Sequence, residues 1–433
     1  MRSHKLRPQL FFHELTSFFC YDMFVNRHVY SVERQASKHE LEFFVVCRER
    51  MVTMNFNFTS MEQDIINMLE DFCINEVKPL AAELDANERF PVETFEKLSN
   101  MGMMGMYIPE EYGGAGLSYN TYTAANEIFN KYCASTACMF EVHGSLVTWP
   151  LLTYGSDEQK RKYLPKLASG EMLGAFGLTE PGAGSDSSGQ KTNAVDMGDH
   201  WLLNGTKCFI TNGYYASLYL VFAMTDKEKG NKGISAFLVE KGWPGFSFGT
   251  KEKKMGIRGT ATYELVFEDV KVPKENLLGK PGDGFKIAMS TLDGGRISIG
   301  AQGVGIAQGA LNELIPVIKA RKQFGKAIAS FQNTQFKVAE MQTEIDAARL
   351  LVYRASQLHQ DHLPCVKEAS MAKYYATKVA NDVTRMCLQL AGGIGYTREY
   401  PFERFMRDAK ITEIYEGTNE IQRIIIAGEM GIR

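Results

Sequence analysis

The strongest candidate for chemistry in this chain is a carboxylate near the C-terminus. Glu416 lies in the segment IYEGTNEIQR (residues 414–423), in a partly apolar setting and directly before a glycine. A carboxylate that is partly removed from water has a raised pKa and accepts protons better near neutral pH. Glu416 is therefore a candidate base for taking a weakly acidic C–H proton. The same residues also fit a plain turn before a helix, because short motifs often mislead.

The composition describes an ordinary globular protein. The chain has 433 residues, of which 45% are hydrophobic and 23% charged, and this length suits roughly two or three domains. A formal net charge of -3 gives no reason to expect nucleic acid or an anionic membrane as a partner. The sequence contains no apolar run of the roughly 18 residues that a transmembrane helix needs.

Cysteine and histidine spacing argues against a metal or disulfide framework. The 8 cysteines are scattered and form no CxxC pair, which predicts reduced thiols in a cytosol-like compartment. His359 and His362 are three apart, but no third ligand is evident, so we interpret them as a solvated helix end. The sequence therefore predicts no metal site.

Residues 1–53 differ from the rest of the chain, being rich in Phe, Tyr and Arg without a clear period. They contain no clean secretory signal, and their six acidic residues make a mitochondrial transit peptide too acidic. We interpret them as an extension that is dispensable for function, with disorder as one interpretation, and Met54 as an alternative start. The expected location is a bacterial-type cytoplasm rather than a mitochondrial matrix.

Three regions must position Glu416, and together they predict an α+β fold. Residues 54–170 have mostly helical patterns, with a cap at Thr59 or Ser60 and helices around 121–132 and 156–164. Residues 171–285 form a predicted β domain, with strands at 218–223, 233–239 and 261–267. Within it, residues 201–210 predict a hairpin around Asn204-Gly205. Residues 286–433 return to long helical periods and predict a helical bundle.

A run of glycines at 300–309 is superficially similar to a dinucleotide fingerprint. Gly303, Gly305 and Gly309 occur there, but no strand pattern precedes them. Glycines that admit close packing between helices are the better interpretation.

The helical, β, helical order and five motifs together resemble the acyl-CoA dehydrogenase flavoproteins. The motifs are GAFGLTEPGAGSD (174–186), FITNG (209–213), RKQFG (321–325), QLAGGIGY (389–396) and the Glu416 segment. Each is weak alone, but five in the right order make a chance match very unlikely. The resemblance covers essentially residues 54–433 and is strongest to the short-chain, butyryl-CoA type.

This resemblance implies FAD as the cofactor. Gly182 and Gly184 would let the backbone approach a ligand closely. The implied FAD contacts are Phe176, Leu178, Thr179, Phe209, Thr211, Arg321, Gln323, Phe324, Gln389, Gly393, Thr418 and Glu420. Those between Arg321 and Gly393 would reach the FAD of a neighbouring subunit, and the family precedent is a homotetramer. From the residues alone, Phe209 could equally be a core aromatic, and an arginine such as Arg321 is more often a solvated helix charge.

The resemblance also implies a reaction, the α,β-dehydrogenation of an acyl-CoA. Glu416 would take the α-proton, a β-hydride would move to flavin N5, and electrons would pass to an electron-transfer flavoprotein. The backbone N–H of Glu416 and a flavin ribityl hydroxyl would stabilise the thioester oxyanion, at about 3 kcal/mol per donor. Ser185 would lie towards the thioester arm, and Asp293 and Arg296 near the CoA moiety.

Three positions separate this chain from related types. Some branched- and long-chain members place the base where this chain has Gly295, and glycine cannot act as a base. Glutaryl-CoA members carry an arginine near the position of Ala137, so that substrate is not expected. Glu141 matches a position in the acyl pocket that is often small or neutral. It could alter the substrate or simply face solvent.

Several functions stay open at this stage. The main alternative is a related dehydrogenase acting on a cyclic or branched acyl-CoA. Another is a catalytically silent flavoprotein subunit, although intact Glu416, Arg321 and the 182–185 loop argue against it. An oxidase that reacts directly with oxygen would show rapid flavin reoxidation in air.

Overall fold

The computed structural model describes residues 58–432, so the expectations for residues 1–53 lie outside the described residues. The first region is helical, as predicted. Its α-helices are α1 (Ser60–Phe72), α2 (Ala81–Asn87), α3 (Val92–Asn100), α4 (Tyr119–Tyr132), α5 (Ala134–Glu141), α6 (Trp149–Tyr154) and α7 (Asp157–Ala168). Thr59 caps α1 in a capping box with Glu62, which confirms the predicted helix start.

A buried π-helical turn, Val142–Thr148, joins α5 to α6. Such turns are rare and occur frequently at functional sites. Gly144 within it is required by close packing, because a Cβ there would lie 2.3 Å from the hydroxyl oxygen of Tyr122. The turn places the end of α5, and with it Glu141, deep in the molecule.

The central region is an eight-stranded sheet. Its strands are β1 (Gly174–Gly177), β2 (Asn193–Asp196), β3 (His200–Ile210), β4 (Leu218–Met224), β5 (Ile234–Glu240), β6 (Phe246–Lys251), β7 (Tyr263–Pro273) and β8 (Leu277–Leu278). The order is β6-β7-β3-β2-β4-β5-β8, with β1 parallel to β4. The strands predicted at 218–223, 233–239 and 261–267 are confirmed as β4, β5 and β7.

The hairpin predicted at Asn204-Gly205 is wrong. β3 is one continuous strand that pairs with β7 along its length, and the pairing shifts register between Leu203 and Gly205. Gly205 has a φ of 142°, and a Cβ there would lie 2.6 Å from the Cα of Thr192. Glycine at this position therefore allows a bulge in the pairing with β7 and a close approach to Thr192, and it does not form a turn.

The last region is a helical bundle built on a helix of 37 residues, α8 (Gly284–Ala320). The others are α9 (Gln332–Gln360), α10 (Val366–Ala391), α11 (Phe402–Thr412) and α12 (Asn419–Glu429), and a short hairpin of β9 (Lys322–Gln323) and β10 (Lys326–Ala327) follows α8. One apolar core joins both helical regions, and a separate core fills one side of the sheet.

The glycines of α8 allow its close packing between α4 and α10. A Cβ on Gly303 would lie 2.8 Å from the carbonyl oxygen of Ala376, and one on Gly305 would lie 2.3 Å from that of Glu127. The packing role predicted for these glycines is confirmed. Within residues 58–432, no helix is long and apolar enough to cross a membrane.

Candidate active site

Glu416 lies in the short connection between α11 and α12, where the backbone is left-handed. Its φ is 53°, and Gly417 follows with a φ of 91°. Two side chains fix this turn by hydrogen bonds to the carbonyl oxygen of Gly417. Gln422 Nε2 donates to it at 2.9 Å and Lys373 Nζ at 2.8 Å. Thr418 then caps α12 by accepting from the N–H of Ile421. The turn thus fixes the position of the carboxylate.

The environment of Glu416 suits a proton acceptor. The residue as a whole is half-buried, but its Oε2 atom is shielded from solvent and has no hydrogen-bond partner among the described residues. Burial raises the pKa of Glu416 to about 7, while the charges of Lys373 and Arg296 oppose that rise. A carboxylate with this pKa is poised to accept a proton near neutral pH.

Gly295 of α8 makes room for this carboxylate. A Cβ at Gly295 would lie 2.1 Å from Glu416 Oε2 and 2.9 Å from Leu146 Cδ2. Any side chain at this position would therefore push Glu416 aside. The sequence identifies Gly295 as a residue that cannot be the base. The structure adds that the absence of a side chain at Gly295 leaves room for the Glu416 carboxylate.

Lys373 is a functional candidate that the sequence analysis missed. It lies on the buried stripe of α10 with Ala369, Ala376 and Ala380, and its Nζ also donates to Asn419 Oδ1 (3.0 Å). Burial lowers the pKa of this lysine, and the negative charge of Glu416 opposes that shift. The sequence does contain an indication of its role, because Lys373 occupies a position in the helical pattern where an apolar residue is expected.

Asp293 and Arg296 form a buried pair on α8 beside the Glu416 turn. Arg296 Nη1 donates to Asp293 Oδ1 at 2.6 Å, and its Nε has no partner among the described residues. Burial raises the pKa of Asp293 to about 6, against the attraction of Arg296. The structure thus brings Arg296 close to Glu416, whose charge acts on it, and Asp293 is linked to the site through its pair with Arg296.

The GAFGLTEPGAGSD loop is anchored by a buried ion pair. Lys207 of β3 is fully buried, and its Nζ lies 2.7 Å from Glu180 Oε1 and 3.0 Å from the carbonyl oxygen of Leu178. Glu180 also accepts from the N–H groups of Lys191 (2.6 Å) and Thr192 (3.0 Å). This pair was missed in the sequence, where Glu180 was only part of a motif.

The surface around this loop is open, as a ligand site requires. A Cβ on Gly182 or Gly184 would meet no protein atom within 4 Å. Phe209 has a φ of 59° and its side chain is 62% exposed, so the interpretation as a core aromatic is wrong. Thr211 lies beside Cys138, and Asn212 Nδ2 ties this turn to the carbonyl oxygens of Met139 and Gly174 (both 3.1 Å).

These features fit FAD on physical grounds. An uncovered aromatic ring suits a planar ring system, and bare glycine backbone suits flavin or phosphate oxygens. Phe176, Leu178 and Thr179 continue from β1 into the same loop, and Ser185 is exposed near its end. Glu420 is exposed at the start of α12. The roles of all these residues stay predictions.

A second group of predicted FAD-binding residues lies at the C-terminal end of α8. Arg321 follows the helix and donates from Nη1 to the carbonyl oxygen of Ala391 (2.5 Å), at the end of α10. Gly392 has a φ of 70°, which favours glycine, and a Cβ there would also lie 2.8 Å from the same Nη1. Arg321 therefore hydrogen-bonds to the C-terminal end of α10 and is not a freely solvated charge. The exposed members of this group are Gln323, Phe324, Gln389 and Gly393, and Phe324 is 94% exposed.

His359 is not the solvated helix-end residue that the sequence predicts. Its ring packs on Tyr119 (4.5 Å between centroids) and on Trp149 (5.2 Å). Burial lowers the pKa of His359 to about 4, and its Nε2 is buried without a partner among the described residues. His362 is exposed, and residues 58–432 contain no group of three or more His, Cys, Asp or Glu that could hold a metal ion.

Glu141 does not face solvent, so that alternative is wrong. Its side chain is buried with 1% exposure, and Asn130 Nδ2 donates to its Oε1 at 2.9 Å. Burial, followed by the negative charge of Glu416, raises the pKa of Glu141 well above its usual range. The neighbourhood of the candidate base therefore contains a second carboxyl group.

Comparison with known proteins identifies the class. Models of the acyl-CoA dehydrogenase N-terminal, middle and C-terminal domains match residues 59–171, 175–270 and 282–431. The chain therefore belongs to the acyl-CoA dehydrogenase family, and the expected fold and the expectation of an FAD-dependent acyl-CoA dehydrogenase are confirmed.

Individual relatives narrow the similarity. The chain is 52% identical to the short-chain specific acyl-CoA dehydrogenase of Clostridium acetobutylicum, over 87% of this chain and 100% of that one. It also matches the structure of butyryl-CoA dehydrogenase from Megasphaera elsdenii, with a TM-score of 0.86 and 48% identity over 87% of this chain and 99% of that one. A chain in a structure of the electron transferring flavoprotein of Acidaminococcus fermentans, concerned with flavin-based electron bifurcation, matches with a TM-score of 0.86 and 49% identity over the same shares.

Proposed function

We propose that this protein removes two hydrogens from a compact, short-chain acyl-CoA to give the 2-enoyl-CoA, with Glu416 as the base. One observation carries the proposal. Glu416 Oε2 is shielded from solvent, has no partner among the described residues and belongs to a carboxyl with a pKa of about 7. An α-proton next to a thioester carbonyl is weakly acidic, and such a base is suited to accept it.

The side chains around Glu416 have supporting roles in this proposal. Lys373 and Arg296 limit the rise of the Glu416 pKa, so that a useful fraction stays ionised at neutral pH. Lys373 and Gln422 hold the turn through the carbonyl oxygen of Gly417. The N–H of Glu416 is the protein donor assigned to the thioester oxygen, a type of contact worth about 3 kcal/mol.

The proposed cofactor is FAD, held by the open glycine loop, Phe209, Thr211 and, from a neighbouring chain, the Arg321 group. Bound there, FAD would supply the acceptor for the hydride that leaves the β-carbon. The proposed assembly is a homotetramer, and the proposed electron acceptor is an electron-transfer flavoprotein. A bacterial-type cytoplasm is the proposed location, supported by the similarity to bacterial relatives.

Anaerobic flavin bleaching tests the proposal. Purified holoprotein is mixed with straight-chain acyl-CoAs of increasing length and with branched and cyclic ones. We expect fast bleaching by four-carbon acyl-CoAs and a decline with longer chains. Preference for a branched or cyclic acyl group would favour the related dehydrogenase instead. A yellow protein that no acyl-CoA bleaches would contradict the proposal and favour a silent subunit.

The pH dependence of kcat/KM gives an independent prediction. The base must be ionised to accept a proton, and its pKa is raised to about 7. We therefore expect kcat/KM to fall about tenfold per pH unit below 7 and to level off above it. Lys373→Met should move the midpoint upward because an attracting charge is lost. Lys378→Met, in an exposed pair with Asp382 on the same helix, should leave it in place. A midpoint near the ordinary glutamate pKa would contradict this account of the site.

A further inference from the structure

Beside the candidate base lies a group of buried polar side chains that the proposed reaction does not use. We call it the pocket polar cluster, and it consists of Asn126 and Asn130 of α4, Glu141 of α5, and Ser298 and Gln302 of α8. Each of the five is at most 1% exposed. The spacing of four residues within α4 and within α8 places each pair on one helix face.

Most of these side chains have polar atoms without partners. Among the described residues, no hydrogen bond is made by Asn130 Oδ1, by Glu141 Oε2 or by Gln302 Nε2, and the side chains of Asn126 and Ser298 have only tyrosine hydroxyls beside them. A buried polar atom left unpaired costs about 1–3 kcal/mol, and native proteins contain few of them. Their concentration in one place gives hydrogen-bonding capacity for a water molecule or for a polar group of a ligand.

The pocket polar cluster is continuous with the Glu416 site. The hydroxyl of Tyr415 donates to Gln302 Oε1, and Tyr415 immediately precedes the base. The hydroxyl of Tyr122 connects other members of the cluster. It lies beside the side chains of Asn126 and Ser298 and donates to the backbone oxygen of Glu141 (3.2 Å). A group bound in the cluster would therefore be part of the molecule that reacts at Glu416.

A plain hydrocarbon end fits this setting poorly. An alkyl chain would displace any water and leave the amides, the hydroxyl and the carboxyl without partners. The free atoms include a donor, Gln302 Nε2, and an acceptor, Asn130 Oδ1. A hydroxyl group both donates and accepts, so it matches this mixed set better than a group that does only one.

Resting on the proposed function, we propose that the acyl pocket of this protein selects a compact acyl-CoA whose acyl chain carries a hydroxyl group near its far end. The hydroxyl exchanges hydrogen bonds with the pocket polar cluster and does not react. The same α-proton and β-hydride are removed as from an unsubstituted chain, so the product is the corresponding hydroxylated 2-enoyl-CoA.

The charges nearby favour a neutral group over a charged one. Burial and the charge of Glu416 raise the pKa of Glu141, which favours its neutral form, and Ala137 supplies no cation for a distal carboxylate. A second carboxylate would add negative charge beside two carboxyl groups. An ammonium end would have to ionise Glu141 and lose its own hydration in a buried site.

Matched thioesters test this inference. The panel is butyryl-CoA, 4-hydroxybutyryl-CoA, 5-hydroxyvaleryl-CoA, 4-aminobutyryl-CoA and succinyl-CoA. It is measured by anaerobic bleaching and by equilibrium binding from the flavin spectrum. We expect at least one hydroxyacyl-CoA to exceed butyryl-CoA at least about tenfold in kcat/KM, because a site built around a hydroxyl rejects the analogue without it. Equal or better use of butyryl-CoA would overturn the inference, as would preference for the amino or carboxyl compound.

Variants locate the effect. Glu141→Leu should lose the hydroxyacyl preference at least about tenfold and improve binding of butyryl-CoA, whereas Glu141→Gln should keep the preference. Ser298→Ala gives a milder change that is safe for folding and should reduce the preference. Glu127→Gln is the control, because Glu127 lies on α4 but pairs with Arg349 away from the cluster. An unchanged preference in both Glu141→Leu and Ser298→Ala would overturn the inference. Failure of every thioester to bleach the flavin would instead reject the proposed function.

Discussion

Replacing Glu416 with glutamine is expected to abolish dehydrogenation while FAD stays bound. The amide of glutamine keeps the size of the side chain but cannot accept the α-proton. General bases contribute about 10²–10⁴-fold to a rate, so we expect the rate of flavin bleaching to fall at least about 10³-fold. The measurement is single-turnover bleaching under anaerobic conditions, with the flavin content of each preparation read from its visible absorbance.

Glu413→Gln is the matched control for this experiment. Glu413 lies three residues before the base, and its carboxylate pairs with Lys410 (2.7 Å) rather than with the site. Its removal should leave both bleaching and flavin content near the values of the unaltered protein. If Glu416→Gln bleached as fast as this control, another group would have to be the base. If Glu416→Gln lost its flavin, the carboxylate would be needed for the fold of the site.

Replacing Lys207 with methionine is expected to lower the free energy of unfolding by about 3–5 kcal/mol. Lys207 and Glu180 are both buried, at 0% and 6% exposure, and removal of one partner leaves an unpaired charge in the interior. Although burial opposes it, the charge of Lys207 lowers the pKa of Glu180. Denaturant unfolding of the FAD-saturated protein measures the change, and we expect flavin retention to fall with it because this pair anchors the GAFGLTEPGAGSD loop.

Two further variants separate the burial effect from the charge change. Lys162→Met removes a more exposed pair with Glu240, so it should cost less than about 1 kcal/mol. Lys207→Met combined with Glu180→Met should be less destabilised than Lys207→Met alone, since no charge is then left unpaired. A loss below about 1 kcal/mol for Lys207→Met would contradict the role of the pair.

Local patterns in the sequence were sufficient for much of the fold. The cap at Thr59, the helices around 121–132 and 156–164, and the strands β4 and β5 follow from short-range periodicity and capping, which act within a few residues. The glycines of α8 were interpreted from the absence of a preceding strand, and their contacts with α4 and α10 agree. The Asn204-Gly205 hairpin failed because the same dipeptide fits a bulge, and only the pairing of β3 with the distant strand β7 decides between them.

The parts of the site that were missed depend on contacts between distant residues. Lys207 and Glu180 are 27 residues apart, and nothing local in either segment indicates that they pair. His359 is shielded by Tyr119 and Trp149, which come from other helices. Glu141 was singled out by the family resemblance, but its relation to Asn126 and Gln302 required three helices to be placed together.

The length of α8 has a consequence for how cofactor sites are shared. Gly295 contacts the base, and Arg321 follows the end of the same helix. About 26 residues separate them, which corresponds to about 39 Å at a rise of ~1.5 Å per residue. That span exceeds an extended flavin dinucleotide, so one FAD molecule cannot reach from Gly295 to Arg321 within one chain. The length of α8 therefore keeps the Arg321 group away from the base of its own chain. This favours the proposal that the Arg321 group of one chain contacts the FAD beside the base of another chain.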